Sequence, residues 1–444
     1  MISPNRDLKG ALSFFEQKGE LIRLRRKVKQ EFELAALVQN VQATANKVVW
    51  FENVEGFKGS VVSNVCGTHE RIAHMLFCEA GSVAATWASK FEKFPKLDYE
   101  LCPEDSSERV ELSLGDLPTL KFHEKDGGPY ITAGIFAVRN LETGSLNLSY
   151  HRVQLTGTDE WGVRLARGSG HLLTQQKIFE AQGKPLECAI LIGTSPLLML
   201  TASTTMSSRE SELDLACALA GETWRLNPCR TIDLAVPEGC EIVIEGEILP
   251  NVKRMEGPFG EWMGSYAAAA PQHVFRVKGI HGRRNPIYSA IIPGSPEDIL
   301  LQGVPISGSI FKAIRTFVPS VLDVVCWPML RFCVIKMRKQ ATGEERKALL
   351  AALGAELNRI LYAVVVDEDV NIHDPVDLIW AISTRCRPDR DIFIIPEVPS
   401  SSRDPFQRHW GRVGIDATVP QELVKEFERK RIPGSEGVRW EDYI

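Results

Sequence analysis

Residues 241–266 read Glu241-Ile-Val-Ile-Glu-Gly-Glu-Ile-Leu-Pro-Asn-Val-Lys-Arg-Met-Glu256-Gly-Pro-Phe-Gly-Glu261-Trp-Met-Gly-Ser-Tyr266. The first eight alternate in the manner of a strand. Gly257, Pro258 and Gly260 do not readily continue a helix, so the chain leaves a sheet and bends sharply. Glu256 and Glu261 then stand at either end of one turn, and their carboxylates can face a single small space. Like charges held close force one acid to keep its proton near neutral pH while the other stays ionised, provided a cation offsets part of the repulsion. The same residues, taken alone, also suit a tight surface turn with two solvated acids.

Outward from this stretch, the 444 residues exceed one ordinary domain, and at ~150 residues per domain two or three are expected. Hydrophobic residues at 44% and charged residues at 25% are ordinary globular values that allow a sizeable core. A net charge of -5 gives no electrostatic case for nucleic acid as a partner. The first residues, Met-Ile-Ser-Pro-Asn-Arg-Asp-Leu, lack the apolar segment of a signal peptide, and apolar runs such as 361–366 are far too short to span a membrane. A cytoplasmic protein is the expectation. The ten cysteines contain no Cys-x-x-Cys pair and read as buried free thiols.

Along the chain, Leu8, Ala11, Leu12 and Phe15 form a helical stripe that ends at Gly19. A strand over 20–28, a helix over 32–41 and a strand over 48–51 make an α/β opening segment. His69 and His74, five apart on a helix, point to different faces and do not make a metal pair. Charge, proline and serine over 91–118 mark a domain boundary. Residues 274–278 and 286–292 read as a hairpin around His281-Gly-Arg-Arg-Asn285, and 299–317 as a helical connection interrupted at Gly303 and Pro305. A strand over 330–336, a helix over 344–361 and a strand over 363–366 make the last domain α/β. Asp367-Glu-Asp-Val-Asn371 lacks the pattern of a calcium loop and reads as a solvated turn. The resulting division is an N-terminal domain (1–112), a central domain (113–297), a connecting helix (298–320) and a C-terminal domain (321–444).

Three further segments carry polar chemistry. Asp126-Gly-Gly-Pro-Tyr-Ile-Thr132 reads as a turn into a strand. In the strand Asn147-Leu-Ser-Tyr-His-Arg152, Asn147, Ser149 and His151 share one face, while Tyr150 and Arg152 share the other. Arg164 and Arg167, among glycines ahead of a helix starting near His171, resemble a phosphate cradle in chemistry without matching a nucleotide fingerprint. Asn147, His171 and Glu222 offer an amide oxygen, an imidazole and a carboxylate suited to a hard metal that keeps positions open for phosphate. Read alone, they equally fit three unrelated polar residues.

Taken together, Asn147-x4-Arg152, His171, Gly221-Glu222 and Glu256-Gly-Pro-Phe-Gly-Glu261, with the Asp126-Gly-Gly-Pro segment upstream, resemble the UbiD family of prenylated-flavin-dependent decarboxylases. Asp377-Leu-Ile-Trp-Ala-Ile-Ser-Thr-Arg385 and Gly414-Ile-Asp-Ala-Thr418 are similar to that family's closing domain. The resemblance implies an α+β multidomain fold with a central split β-barrel like that of flavin reductases. It also implies prenylated FMN tied by its phosphate to a divalent metal, usually Mn2+, on Asn147, His171 and Glu222, with K+ or Na+ nearby. Flavin contacts are implied at Asn147, Ser149, Tyr150, His151, Arg152, Arg167, His171, Ala202, Ser203 and Glu222. Arg152, Glu256 and Glu261 correspond to the catalytic acid–arginine–acid set, with Glu261 as proton donor and Glu256 as the ionised partner of Arg152.

The implied activity is reversible, non-oxidative decarboxylation of an aromatic, heteroaromatic or α,β-unsaturated carboxylic acid, through a covalent flavin adduct that releases CO2. A flavin prenyltransferase would supply the cofactor. The apolar segment 321–335 points to a homo-oligomer, a dimer or hexamer, built on the last domain. A flavin oxidoreductase or a non-catalytic flavin-binding relative would share the fold, but neither requires the acid–arginine–acid set.

Overall fold

The computed structural model describes residues 6–103, 109–165, 171–399 and 409–430, together with 432–434, 438 and 443. The helix Leu8–Gln17 buries the four apolar residues of its predicted stripe, and the Asp7 side chain caps it by accepting from Gly10 N at 2.7 Å. Behind it, the strands Leu21–Leu24, Val48–Phe51 and Ser60–Ser63 form a sheet whose fourth member is Ile287–Ser289, parallel to Ser60–Ser63. Residues 281–292 therefore do not make the expected hairpin. The chain leaves the central sheet at Gly282, and its next strand covers the otherwise open edge of Ser60–Ser63. Alternation identified a strand there but not its partner.

Nine strands form the central sheet, in the order Tyr130–Ile131, Val153–Gln154, Glu160–Val163, Ala270–Gly282, Ile242–Glu256, Leu186–Ile192, Ile135–Arg139 and Leu146–Tyr150. Val110–Glu111 joins from the side of Ala270–Gly282, although it falls inside the segment read as N-terminal domain. Leu146–Tyr150 lies at one edge, yet only His151 and Arg152 separate it from Val153–Gln154 beside the other edge. The sheet must therefore roll until its two edges lie side by side. Among the described residues no ladder closes it, which is the open form of the expected split barrel. Phe136, Ile190, Ile244 and Phe275 fill one face. Ile135, Ala137, Ala189, Leu191 and Val243 pack on the other against the helices Pro196–Thr201 and Glu212–Ala220 and the N-terminal helices.

The helix Pro296–Arg315 runs unbroken through Gly303 and Pro305, contrary to the expected interruption. Pro305 lacks an N–H, so the Leu301 carbonyl loses its helical donor. The Ser203 hydroxyl donates to that carbonyl instead. This rescue from a distant segment leaves no trace in local sequence.

The C-terminal sheet has the order Val321–Val325, Phe332–Met337, Tyr362–Asp367, His409–Ala417, Ile392–Pro399, with helices Glu344–Ala355 and Pro375–Arg385, and is α/β as expected. Most of the apolar segment 321–335 is core: Val321, Val324, Val325, Leu330 and Ile335 are buried, and Phe332 stacks on Tyr362. Its apolar character is thus accounted for within the chain. Glu368, Asp369 and Asn371 are exposed, in keeping with a solvated turn, and Asp367 and Asp369 also accept from Arg385 at 2.9 Å. All ten cysteines are free, and His69 is buried while His74 is exposed on another face. No helix among the described residues is long and apolar enough to cross a membrane.

Candidate active site

Strand Ile242–Glu256 delivers Glu256 to its last position, buried. After the turn at 257–258, Phe259–Gly260 pairs with Tyr266–Ala267, which places Glu261 at the base of a tight tip. The tip is fixed by Glu261 N donating to Ser265 O and Gly264 N donating to Glu261 O, both at 2.9 Å. The upstream Asp126-Gly-Gly segment clamps this turn. Gly127 N donates to Pro258 O at 2.7 Å, and Asp126 Oδ1 accepts from Gly260 N at 2.8 Å. A Cβ on Gly127 would sit 2.2 Å from Gly257 O, and one on Gly260 would sit 2.5 Å from His123 Nδ1. Both glycines are required by close approach.

Arg152 joins the two acids. Its Nε and Nη2 donate to Glu256 at 2.8 and 2.9 Å, and its Nη1 donates to Glu261 Oε1 at 2.6 Å. The ring of Phe259 lies 4.3 Å from the guanidinium carbon. Burial pulls the Arg152 pKa down, but the hydrogen bonds and charge of Glu256, followed by the charge of Glu261, outweigh it and hold the group cationic. The turn is therefore no surface loop with two solvated acids. It is a buried, charge-assisted network of the kind that holds geometry firmly. Arg164, read as part of a phosphate cradle, also donates to Glu261 Oε1, at 2.9 Å. Spacing gave no signal for this contact, which arises because residues 152 and 164 flank the paired strands Val153–Gln154 and Glu160–Val163.

Asn147 and His171 meet, with Asn147 Nδ2 3.2 Å from His171 Nδ1. Glu222 does not join them. It is exposed beyond the C-terminal end of the helix Glu212–Ala220 and accepts from Trp224 Nε1 at 3.3 Å. Glu212 takes its place at the opposite end, ten residues away and about 15 Å along a helix axis. Its carboxylate accepts from Asn147 Nδ2 at 3.1 Å and from Leu148 N, on the edge strand, at 2.8 Å. Ser211, the helix N-cap, donates to Leu146 O at 2.7 Å, pinning the helix start along that edge. The detectable signal was Ser211 capping a helix beside an acid.

These residues fit a hard divalent cation. Asn147 Oδ1 is buried and accepts no hydrogen bond among the described residues. Burial pushes the Glu212 carboxyl up to about 8, because its amide donors do not supply the positive charge that would hold it ionised. Amide oxygen, imidazole and carboxylate are the donor types that such a cation takes together with phosphate oxygens.

The remaining predicted positions divide. Ser149 Oγ lies 3.0 Å from His151 Nε2, on the face of Asn147. Tyr150 packs on the opposite face, where burial, followed by Cys66 and the acids of the 296–315 helix, pushes its phenol far up. Ala202 caps the helix Pro196–Thr201, and Ser203 is committed to Leu200 O and Leu301 O. Arg167 lies outside the described residues.

The chain matches the 3-octaprenyl-4-hydroxybenzoate carboxy-lyase family in three parts: its N-terminal domain over residues 12–91, its Rift-related domain over 98–296 and its C-terminal domain over 299–417. The chain is therefore a carboxy-lyase. It belongs to the UbiD family. It is 33% identical to anhydromevalonate phosphate decarboxylase of Methanothermobacter thermautotrophicus, over 90% of this chain and 95% of that one. It is 31% identical to phenolic acid decarboxylase of Sedimentibacter hydroxybenzoicus, over 94% and 92% respectively. Among solved structures it resembles the UbiD-class enzyme HmfF from Pelotomaculum thermopropionicum in complex with FMN, with a TM-score of 0.92, 36% identity and coverage of 99% and 100%. An evolved dimeric form of HmfF in complex with prenylated FMN gives a TM-score of 0.89 at 34% identity, with the same coverage.

Proposed function

We propose that this protein catalyses the reversible, non-oxidative decarboxylation of an aromatic, heteroaromatic or α,β-unsaturated carboxylic acid with prenylated FMN. The observation that carries this reading is Arg152 bridging Glu256 through two nitrogens and Glu261 through a third. Asn147, His171 and Glu212 would hold a divalent cation, Mn2+ by the family resemblance, and through it the flavin phosphate. When bound, the prenylated flavin supplies the electron sink by covalent attachment to the substrate. The protein residues manage charge and the proton. Glu256, doubly bonded to Arg152, is fixed as the ionised partner. Glu261 stands at the rim of the turn and exchanges a proton with the carbon that loses CO2. The clamp from Asp126 and Gly127 holds the turn against reorientation, so the donor need not be ordered anew in each turnover.

Assembly as a dimer or hexamer and supply of the cofactor by a flavin prenyltransferase belong to the same reading. The test is CO2 release from a panel of carboxylic acids by protein co-produced with such a prenyltransferase. Turnover with plain FMN alone would refute the prenylated-flavin requirement, and light scattering that finds only monomer would refute assembly.

A further inference from the structure

The tip that carries Glu261 has little local structure to hold it. The strands at its base, Phe259–Gly260 and Tyr266–Ala267, are two residues each, and even a longer two-stranded ribbon is marginal in water. Gly264, Ser265 and Tyr266 are exposed, whereas Trp262 is buried and Met263 half-buried. Glu261 N and Glu261 O are bonded across these two residues to Ser265 O and Gly264 N, so the tip moves as one piece. Whatever seats Trp262 and Met263 therefore also sets the place of Glu261.

Both residues reach the C-terminal domain. Trp262 is 6% exposed and shares one core with Ala84 and Ala88, with Ile299 and Ile306 of the helix Pro296–Arg315, and with Leu330 and Cys333. Its backbone lies against Gly294, beside the Ser295 cap of that helix: a Cβ on Gly294, where φ is +78°, would sit 3.2 Å from Trp262 O. Arg331 closes over the pair. Its guanidinium carbon is 5.6 Å from the Trp262 ring centroid, Nη2 donates to Met263 Sδ at 3.1 Å, and Nη1 donates to Arg359 O at 3.4 Å. The Arg331 backbone is fixed in turn, because its carbonyl accepts from Leu361 N at 2.9 Å and Tyr362 N at 3.0 Å. One planar cation thus meets a ring face and a thioether together, which the compact ammonium of lysine reproduces only in part.

We propose that Trp262 and Arg331 are positioning residues for decarboxylation: the C-terminal domain seats the tip and through it sets where the Glu261 carboxylate stands. The inference rests on the decarboxylase reading above and adds no group to the reacting atoms. It gives the last domain a part in turnover that is separate from assembly.

Contacts from the central domain do not replace this seat. The clamp from Asp126 and Gly127 ends at Gly260. At the other end, Lys125 N donates to Tyr266 Oη at 3.3 Å, and the His123 and Tyr266 rings meet edge to face at 6.4 Å. These contacts fix the segment at 260 and 266 and not between. Arg152 and Arg164 bond the Glu261 carboxylate, so the seat decides the backbone position from which that paired carboxylate reaches the substrate.

The test uses the full-length protein co-produced with a flavin prenyltransferase. In Arg331→Met, amide hydrogen exchange of the peptide covering residues 256–266 should be ~2- to 30-fold faster, the factor equivalent to a lost cation–π contact. For the acid that wild type turns over fastest, kcat for CO2 release should fall ~10- to 100-fold, the scale of a 1 Å misplacement, with KM, flavin and metal content unchanged. Arg331→Lys should recover part of kcat, and Trp262→Phe, which keeps a ring in the shared core, should lower kcat by less than Arg331→Met does. Equal exchange in wild type and Arg331→Met, a raised KM or lost flavin in place of the fall in kcat, or Arg331→Lys no better than Arg331→Met would each overturn the proposal. Faster exchange with wild-type turnover would remove it and leave the decarboxylase reading standing. No CO2 release by wild type from any acid would remove both.

Discussion

Asn147 and Glu212 lie side by side, the amide Nδ2 3.1 Å from one carboxylate oxygen and 3.2 Å from the other. Neither residue approaches Glu222, which lies past the far end of the same helix. Glu212→Gln and His171→Ala should therefore lose bound metal and flavin together, whereas Glu222→Ala should retain both. A metal content lowered by more than about tenfold is expected, since even a lost outer partner of a ligand costs ~10–100-fold in affinity. Elemental analysis and flavin absorbance of the purified variants decide it, and a flavin-free Glu222→Ala with an intact Glu212→Gln would reverse the assignment.

Of the two acids, Glu261 is held by single contacts to two arginines, while Glu256 receives two nitrogens of one. Glu261→Gln should keep flavin and metal and lose turnover by ~10²–10⁴-fold, the usual worth of a general acid. It should also fail to place solvent deuterium on the carbon that carried the carboxylate. Normal exchange by Glu261→Gln beside an inactive Glu256→Gln would mean that the roles are interchanged.

Gly127 faces the backbone carbonyl of Gly257, which cannot rotate away, whereas Gly260 faces the His123 ring, whose side chain is 32% exposed. Gly127→Ala should cost ~1–3 kcal/mol, the range for overpacking, and should lower turnover by displacing the turn that carries both acids. Gly260→Ala should cost less. Thermal denaturation of the two variants gives the comparison, and equal losses would contradict the clamp.

His69 is buried at the contact between the N-terminal and C-terminal parts, its ring centroid 4.4 Å from that of His373. Burial, then the neighbouring His373, lowers its pKa from 6.5 to about 3. Unfolded His69 gains a proton as pH falls through 6.5, and folded His69 does not until about 3. The unfolded state binds the extra proton in that window, so the His69 contribution to stability should fall on acidification by up to ~1.4 kcal/mol per pH unit, against an opposite contribution from Glu212 and Glu297, which burial raises to about 8 and about 7. Relative to wild type, His69→Phe should raise the denaturation midpoint at about pH 5 more than at about pH 7. Some slope should remain from His273, which burial, then Lys253, lowers to about 4. An unchanged slope would show that His69 is not the acid-sensitive group.

Features that depend on near neighbours were readable from the residues alone. The stripe Leu8, Ala11, Leu12 and Phe15 and its burial, the alternation of Asn147 and Ser149 against Leu148 and Tyr150, and the glycine–proline turn between Glu256 and Glu261 were all legible. They follow from helix and strand periods and from backbone limits, which act over a few residues. The family resemblance added Arg152 as the cation between the acids, a contact spanning 104 positions that periodicity could not supply.

Tertiary structure decided which equivalent-looking residue does the work. Two glutamates flank the helix Glu212–Ala220, and only its placement along the edge of Leu146–Tyr150 brings Glu212 to Asn147 and leaves Glu222 in solvent. The strand 287–289 was visible as a strand, but its partner was set by whichever sheet had an open edge to cover. Ser203, expected at the flavin, is instead committed to a carbonyl stranded by Pro305. In each case the deciding term is a hydrogen-bonding group that must be satisfied once buried, and its partner is fixed by packing between distant segments rather than by local sequence.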